Sequence, residues 1–303
     1  MNRVMLLAAG MALLRITHAA AANPARFELA MVDMQGQKKV LGTLPGSVSA
    51  PRISPDGKKV AFEMVDDPPA DPKAPPFLRP YAAELDKLDK PKALQPTLLS
   101  NVNRSVEWSF DRDWIVFSAS GNGSEAIFRE RSDGWIQPKW IMDGKAPEGL
   151  YAGWLLAVLT LKGEKDYGIS LVDMNNPKKV IARIDAPGSA QYSSRLSPDG
   201  KWIAFTSDET GRPEVWVQSL KQQRVQLSQQ GGSHPQWSPD GSKLYYDQGG
   251  KIFRIDVTLN DQTVRGGEPV ALPISGFVQT EMRRQYDLTP DGKSFLMLFP
   301  IAK

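Results

Sequence analysis

Ser197-Pro198-Asp199-Gly200, followed directly by Lys201-Trp202-Ile203-Ala204-Phe205, is a tight turn running into an apolar strand, and the chain repeats it. The same four residues stand at Ser54-Pro55-Asp56-Gly57 and Ser238-Pro239-Asp240-Gly241. A variant is Thr289-Pro290-Asp291-Gly292, and a degenerate copy is Ser109-Phe110-Asp111-Arg112. Proline pre-sets φ near −65°, aspartate bonds the local backbone and glycine accepts positive φ. Short strand-like runs flank every copy, so each reads as a hairpin turn between two strands. Positive φ is therefore expected at Gly57, Gly200, Gly241 and Gly292.

Successive copies lie 55, 88, 41 and 51 residues apart. The gap of 88 holds two periods. Midway lies Leu155-Leu156-Ala157-Val158-Leu159, which aligns with the strand after Gly200 once Gly153 is set on Gly200. Six repeats result, with a mean period of 47 residues. Strand-rich repeats of 40 to 50 residues predict a β-propeller with about four strands per blade. Third strands are expected at 127–129, 169–172, 215–217 and 252–255, and fourth strands at 180–182, 225–227 and 269–272. Residues 27–44 look like a third and fourth strand with no first pair before them. Residues 286–299 look like a first and second strand with no second pair after them. Together they make one blade and hide the edges an open sheet would expose. The fold class is all-β: a six-bladed β-propeller of four-stranded antiparallel blades, closed by the N- and C-terminal half-blades, in a single domain over 23–303.

Of 303 residues, 41% are hydrophobic and 23% charged, an ordinary soluble composition. Lys and Arg total 37 against 34 Asp and Glu, too balanced for a strong nucleic-acid field. Cysteine is absent, which excludes disulfides, thiolate catalysis, cysteine-ligated metal and cysteine lipidation. Met1 to Arg3 is a short basic start, and the apolar run over 4–14 is shorter than the roughly 20 residues a spanning helix needs. A small-residue tract, His18-Ala19-Ala20-Ala21-Ala22, follows. Residues 1–22 are thus expected to be a signal peptide cut between Ala19 and Ala22. The product is expected to be periplasmic or secreted, without membrane insertion.

The Trp237-Ser238-Pro239-Asp240-Gly241 turn resembles the repeat of the TolB family of periplasmic propellers. So does the segment Ser207-Asp208-Glu209-Thr210-Gly211-Arg212-Pro213-Glu214-Val215-Trp216. The resemblance covers most of residues 25–300 and implies an envelope propeller that works through protein contacts. TolB itself carries an N-terminal α/β domain. A free-standing propeller is expected here, so TolB's partner, the peptidoglycan-associated lipoprotein, does not transfer directly. Similar repeats also occur in propellers attached to serine peptidases and in scaffold modules, so the fold does not fix the function.

A Ser-His-Asp site needs a histidine base. The sequence has two histidines. His18 leaves with the signal peptide, and His234 sits in a loop before a first strand, where a structural hydrogen bond is expected. Gly-x-Ser-x-Gly and His-Glu-x-x-His motifs are missing. The expectation is a monomeric non-catalytic protein, without cofactor or metal, that binds a protein or peptide. The alternative is a carbohydrate-active or other hydrolytic propeller using channel carboxylates.

In this architecture the first strand of each blade lines the central channel. The S-P-D-G turns occupy one face and the longer loops the other. The loop face carries a proline-rich insertion over 66–80, read either as a solvated spacer or as a partner contact. Two residues before each turn stand Arg52, Glu107, Arg195, Gln236 and Asp287, which strand alternation places on equivalent sides. They either hold a small polar ligand or a peptide's polar groups, or pair with one another and with water. Tyr151, Tyr192, His234, Arg283, Arg284 and Tyr286 are expected near the same mouth, and aromatics and arginine are enriched at interfaces. Replacing Arg283 and Arg284 together by Glu is expected to weaken partner capture at little cost in stability.

Overall fold

Each S-P-D-G turn is closed by its own side chains in the computed structural model, which describes residues 27–301 apart from 45–47, 66–77, 95–101, 122–123, 135–136, 162–166, 222 and 261–262. Ser54 Oγ donates to Asp56 Oδ1 at 2.6 Å and accepts Lys59 N–H at 2.9 Å, while Gly57 N–H reaches Ser54 O at 2.8 Å. The same hydroxyl-to-carboxylate bond, 2.6 Å long, recurs at Ser197–Asp199, Ser238–Asp240 and Thr289–Asp291. The four glycines have φ of 71°, 72°, 70° and 69°, as expected, and Arg112 holds 64° in the degenerate copy. No atom lies within 4 Å of where a Gly200 Cβ would stand, so a substitution there strains only the backbone. Gly200→Val is expected to cost about 1–3 kcal/mol. An unchanged urea midpoint would count against this account of the turn.

The strands follow the repeat. β1 (Phe27–Asp33) and β2 (Lys38–Leu44) come first. Four sets follow: β3 (Val48–Ile53), β4 (Lys59–Val65), β5 (Leu78–Glu84) and β6 (Lys92–Ala93); β7 (Val102–Trp108), β8 (Trp114–Gly121), β9 (Ser124–Arg131) and β10 (Lys139–Asp143); β11 (Ala146–Tyr151), β12 (Leu155–Leu161), β13 (Tyr167–Asp173) and β14 (Asn176–Ile184); β15 (Gln191–Leu196), β16 (Trp202–Ser207), β17 (Glu214–Ser219) and β18 (Arg224–Gln226). Last come β19 (Ser233–Trp237), β20 (Lys243–Gln248), β21 (Lys251–Leu259), β22 (Val264–Gly266) and β23 (Val270–Ser275), then β24 (Tyr286–Leu288) and β25 (Ser294–Pro300). The closing sheet has the order β2-β1-β25-β24, the shared blade expected from the two half-blades. Six antiparallel blades form the ring, and one parallel pair, Leu78 with Val102, joins the second and third in the order of the chain.

Three details depart from the sequence reading. Where the turn signature is lost, a single 3-10 turn over Ala152–Trp154 replaces it, with Gly153 at φ 75°. β21 is long enough to hold two partners, β22 beside its end and β23 beside its start, so the blade has an additional short hairpin strand. The proline-rich insertion does not resist strand structure throughout. Leu78, Arg79 and Pro80 begin β5, where Pro80 pairs with Glu63 and its carbonyl accepts Leu94 N–H at 3.0 Å. Residues 66–77 and the expected signal peptide lie outside the described residues.

The core lies between blades. Phe62, Phe117 and Phe205, each five residues after its turn, are fully buried. Trp108 and Trp237 sit in inter-blade clusters. Trp108 Nε1 donates to Arg52 O at 2.9 Å and Trp237 Nε1 to Arg195 O at 3.0 Å, so each indole ties its blade to another's channel strand.

Candidate functional site

Every channel strand that begins a described S-P-D-G-type hairpin carries its polar residue opposite a fixed partner. Arg52 faces Ala61, Glu107 faces Val116, Arg195 faces Ala204, Gln236 faces Tyr245 and Asp287 faces Leu296. The strand β11 sets Gly149 opposite Ala157 in the same register, so the sixth position has no side chain. Tyr151 takes the space: a Cβ on Gly149 would lie 2.3 Å from Tyr151 Oη.

The charged members meet. Glu107 Oε1 accepts Arg52 Nε–H at 2.8 Å and Arg195 Nη2–H at 2.8 Å, with Arg284 Nη2 at 3.8 Å. Arg284 also reaches Asp287 Oδ1 at 3.2 Å, and Asp287 Oδ2 accepts Ile53 N–H at 3.0 Å. Of the two sequence readings, mutual pairing describes the arrangement of these charges. Burial acts to raise the Glu107 pKa, but Arg195, Arg52 and Arg284 outweigh it and hold the carboxyl below its ordinary value. Burial, then repulsion from Arg195 and Arg52, pushes Arg284 down to about 9. Gln236 turns its amide to Pro235 O at 2.8 Å.

Two residues before four of these positions the backbone enters the left-handed region. Ala50, Ser105, Ser193 and His234 have φ between 52° and 60°, each at a register break in its strand. For non-glycine residues this costs on the order of 1–3 kcal/mol. Polar side chains from elsewhere in the ring catch the N–H groups it exposes. Glu63 Oε1 accepts Ser105 N–H, Thr206 Oγ1 accepts His234 N–H at 3.0 Å and Gln285 Oε1 accepts Ala50 N–H at 2.9 Å. Glu148 accepts Ser193 N–H at 2.6 Å and Ser194 N–H at 2.8 Å, while burial raises its pKa. Sequence reading missed these receivers. For two of them a signal existed: Glu63 and Thr206 each stand six residues after the turn glycine, polar breaks in otherwise apolar strands.

Four expected surface residues prove to be interior. Arg284 is 2% exposed, Tyr286 1%, His234 2% and Tyr192 6%. Arg284 turns into the channel and donates through Nε to Tyr286 O at 2.7 Å. Tyr286 packs edge-on between Phe277 and Phe295, its hydroxyl donating to His234 O at 2.8 Å. His234 Nδ1 lies 2.7 Å from Asp247 Oδ1, the structural hydrogen bond expected for it. Burial lifts the Tyr192 phenol to about 12. The paired substitution of Arg283 and Arg284 is therefore no neutral surface change, because only Arg283 stands near solvent. It ion-pairs through Nη1 with Glu63 Oε2, two residues before the end of β4, where the insertion begins. Glu281 and Met282 beside it are exposed.

At the opposite, S-P-D-G end, the channel widens into a cavity of about 560 Å³ reached by Arg195, Gln236 and Tyr151.

No family model matches the chain. A protein of Agrobacterium fabrum described as uncharacterized is 25% identical over 172 residues, 54% of each chain, so the match spans about half the length of that curated relative. Among solved structures, a putative TolB from Agrobacterium tumefaciens is similar at a TM-score of 0.65 and 15% identity, covering 92% of this chain and 99% of that one. Hydrazine synthase from Kuenenia stuttgartiensis gives 0.62 at 13% identity, covering 95% and 98%. TolB from Acinetobacter baumannii gives 0.55 at 18%, covering 92% and 64%. The chain has a TolB-like six-bladed propeller fold, and the same fold also occurs in an enzyme.

Proposed function

We propose that the chain is an exported, non-catalytic propeller that captures a protein or peptide partner of the cell envelope on its loop face. One observation carries this reading. The Arg283–Glu63 ion pair ties the exposed loop around Met282 to the end of β4, the strand that leads into the proline-rich insertion. Variable loops on a rigid frame are where binding usually resides. Of the binding residues read from the sequence, Arg52, Tyr192, His234, Gln236, Arg284 and Tyr286 are buried, which leaves Arg283 as the anchor nearest solvent in that loop. Channel chemistry argues against the hydrolytic alternative: Glu107, held ionised by three arginines, is a poor proton donor, and Glu148, whose pKa burial raises, has both oxygens engaged by backbone N–H groups. The leader-like residues 1–22 support export.

Arg283→Glu places a carboxylate against Glu63 and is expected to reduce partner capture in a crosslinked periplasmic pull-down by at least about tenfold, the effect of roughly 1.4 kcal/mol. Met282→Ala in the same loop serves as a variant that keeps the ion pair. Capture undiminished in both variants would refute the loop-face reading.

A further inference from the structure

The turn end of the channel has a chemistry of its own, independent of the loop face. Its cavity of about 560 Å³ falls within the roughly 300–1,000 Å³ of small-molecule sites. The walls are apolar: Leu196, Trp237 and Leu288, with the turn prolines Pro198, Pro239 and Pro290 around the mouth. Polar lining residues stand among them, Arg195 and Tyr151 beside the turn residues Ser197, Asp199, Ser238 and Thr289. Arg195 spends one N–H on Glu107 and one on Ser194 O, leaving further donors of its guanidinium. Tyr151 Oη, which fills the place of the missing Gly149 side chain, is buried; the backbone N–H of Leu196 faces it, and its own O–H has no acceptor among the described residues. A buried hydroxyl without an acceptor is costly, and a ligand that supplies one relieves it.

The sign of the ligand follows from the charges. Arg52, Arg195 and Arg284 share two channel acids, Glu107 and Asp287. The third acid beside Arg195, Glu148, is one whose charge burial disfavours, raising its pKa. The carboxylate in the cavity lining, Asp199, is held by Ser197 Oγ and Lys201 N–H of its own turn. Burial and the neighbouring arginines already disfavour the charge on Arg284, so added negative charge in the channel is favourable. We propose that this funnel binds a small monocarboxylate with an apolar body, its carboxylate on Arg195 and Tyr151 and its body against Trp237, Leu196 and Leu288. The carboxylate comes from a free organic acid or from the C-terminus of a peptide.

Titration calorimetry on the full chain tests this with four probes: hexanoate, hexanamide, a tripeptide of apolar residues with a free C-terminus, and the same tripeptide amidated. At least one acid is expected to bind about tenfold or more tighter than its amide, and whichever acid is tighter identifies the source. Tyr151→Phe removes only the hydroxyl and is expected to weaken that binding about threefold to tenfold, with a melting temperature equal to or above the parent's. Arg283→Glu is expected to leave it unchanged, which separates this site from the loop face. Amides binding as well as acids, a Tyr151→Phe protein binding as tightly as the parent, loss of binding in Arg283→Glu, or no heat from either acid at about 10 mM would each overturn the proposal.

Discussion

Removing residues 286–303 should abolish the fold of the entire ring rather than trim one end. β25 lies inside the closing sheet, paired with β1 along seven residues from Phe27–Pro300 to Asp33–Ser294 and with β24 on its other edge. Phe295, Leu296, Met297 and Leu298 are fully buried and alternate between two core clusters, one shared with the β19–β23 blade and one with the β3–β6 blade. Burying four such side chains supplies on the order of 6–12 kcal/mol, against a net stability of about 5–15 kcal/mol for a whole domain. The deletion also takes away Asp287, which receives Ile53 N–H, and Tyr286, which braces His234. The truncated chain should show no cooperative thermal transition by circular dichroism. A truncated protein melting at the parent's temperature would mean that the ring does not depend on its closure.

The shared closing blade was legible in the sequence, because the half-blade argument needed only the period and strand alternation. The turns were readable for the same reason: proline, aspartate and glycine each act within four residues, so their chemistry is local. Gly153 was placed by alignment alone, although its turn had lost every other signature. Burial at the channel mouth was not readable. Tyr286 and Arg284 look like interface residues by type, but an arginine's direction depends on which carboxylates the ring brings near it, here Glu107 and Asp287 from different blades. The sixth channel position was missed because the turn after β11 is one residue shorter, which moves the register from Glu148 to Gly149. The left-handed residues Ala50, Ser105, Ser193 and His234 carry no sequence mark, since the groups that compensate them come from other strands.

Glu107→Ala should be the most damaging single substitution in the channel. Its side chain is 12% exposed and its Oε1 receives two arginines at 2.8 Å. Truncation leaves Arg52, Arg195 and Arg284 buried with Asp287 as their remaining channel acid, and removing one partner from a buried ionic cluster costs about 3–5 kcal/mol. Glu107→Gln keeps the shape and one acceptor, so it should cost less, and the difference isolates charge from packing. The pH dependence has a definite sign. The folded-state pKa of Glu107 lies below its ordinary value of 4.5, because the three arginines outweigh burial. Its contribution is therefore fully present above about 4.5 and is lost as pH falls through the lower folded value. Urea midpoints measured at pH 7 and again well below pH 4 should converge for the parent and Glu107→Ala as the medium becomes acidic. A gap between the two proteins that stays constant across that range would show that packing, not the ionised carboxylate, holds the channel together.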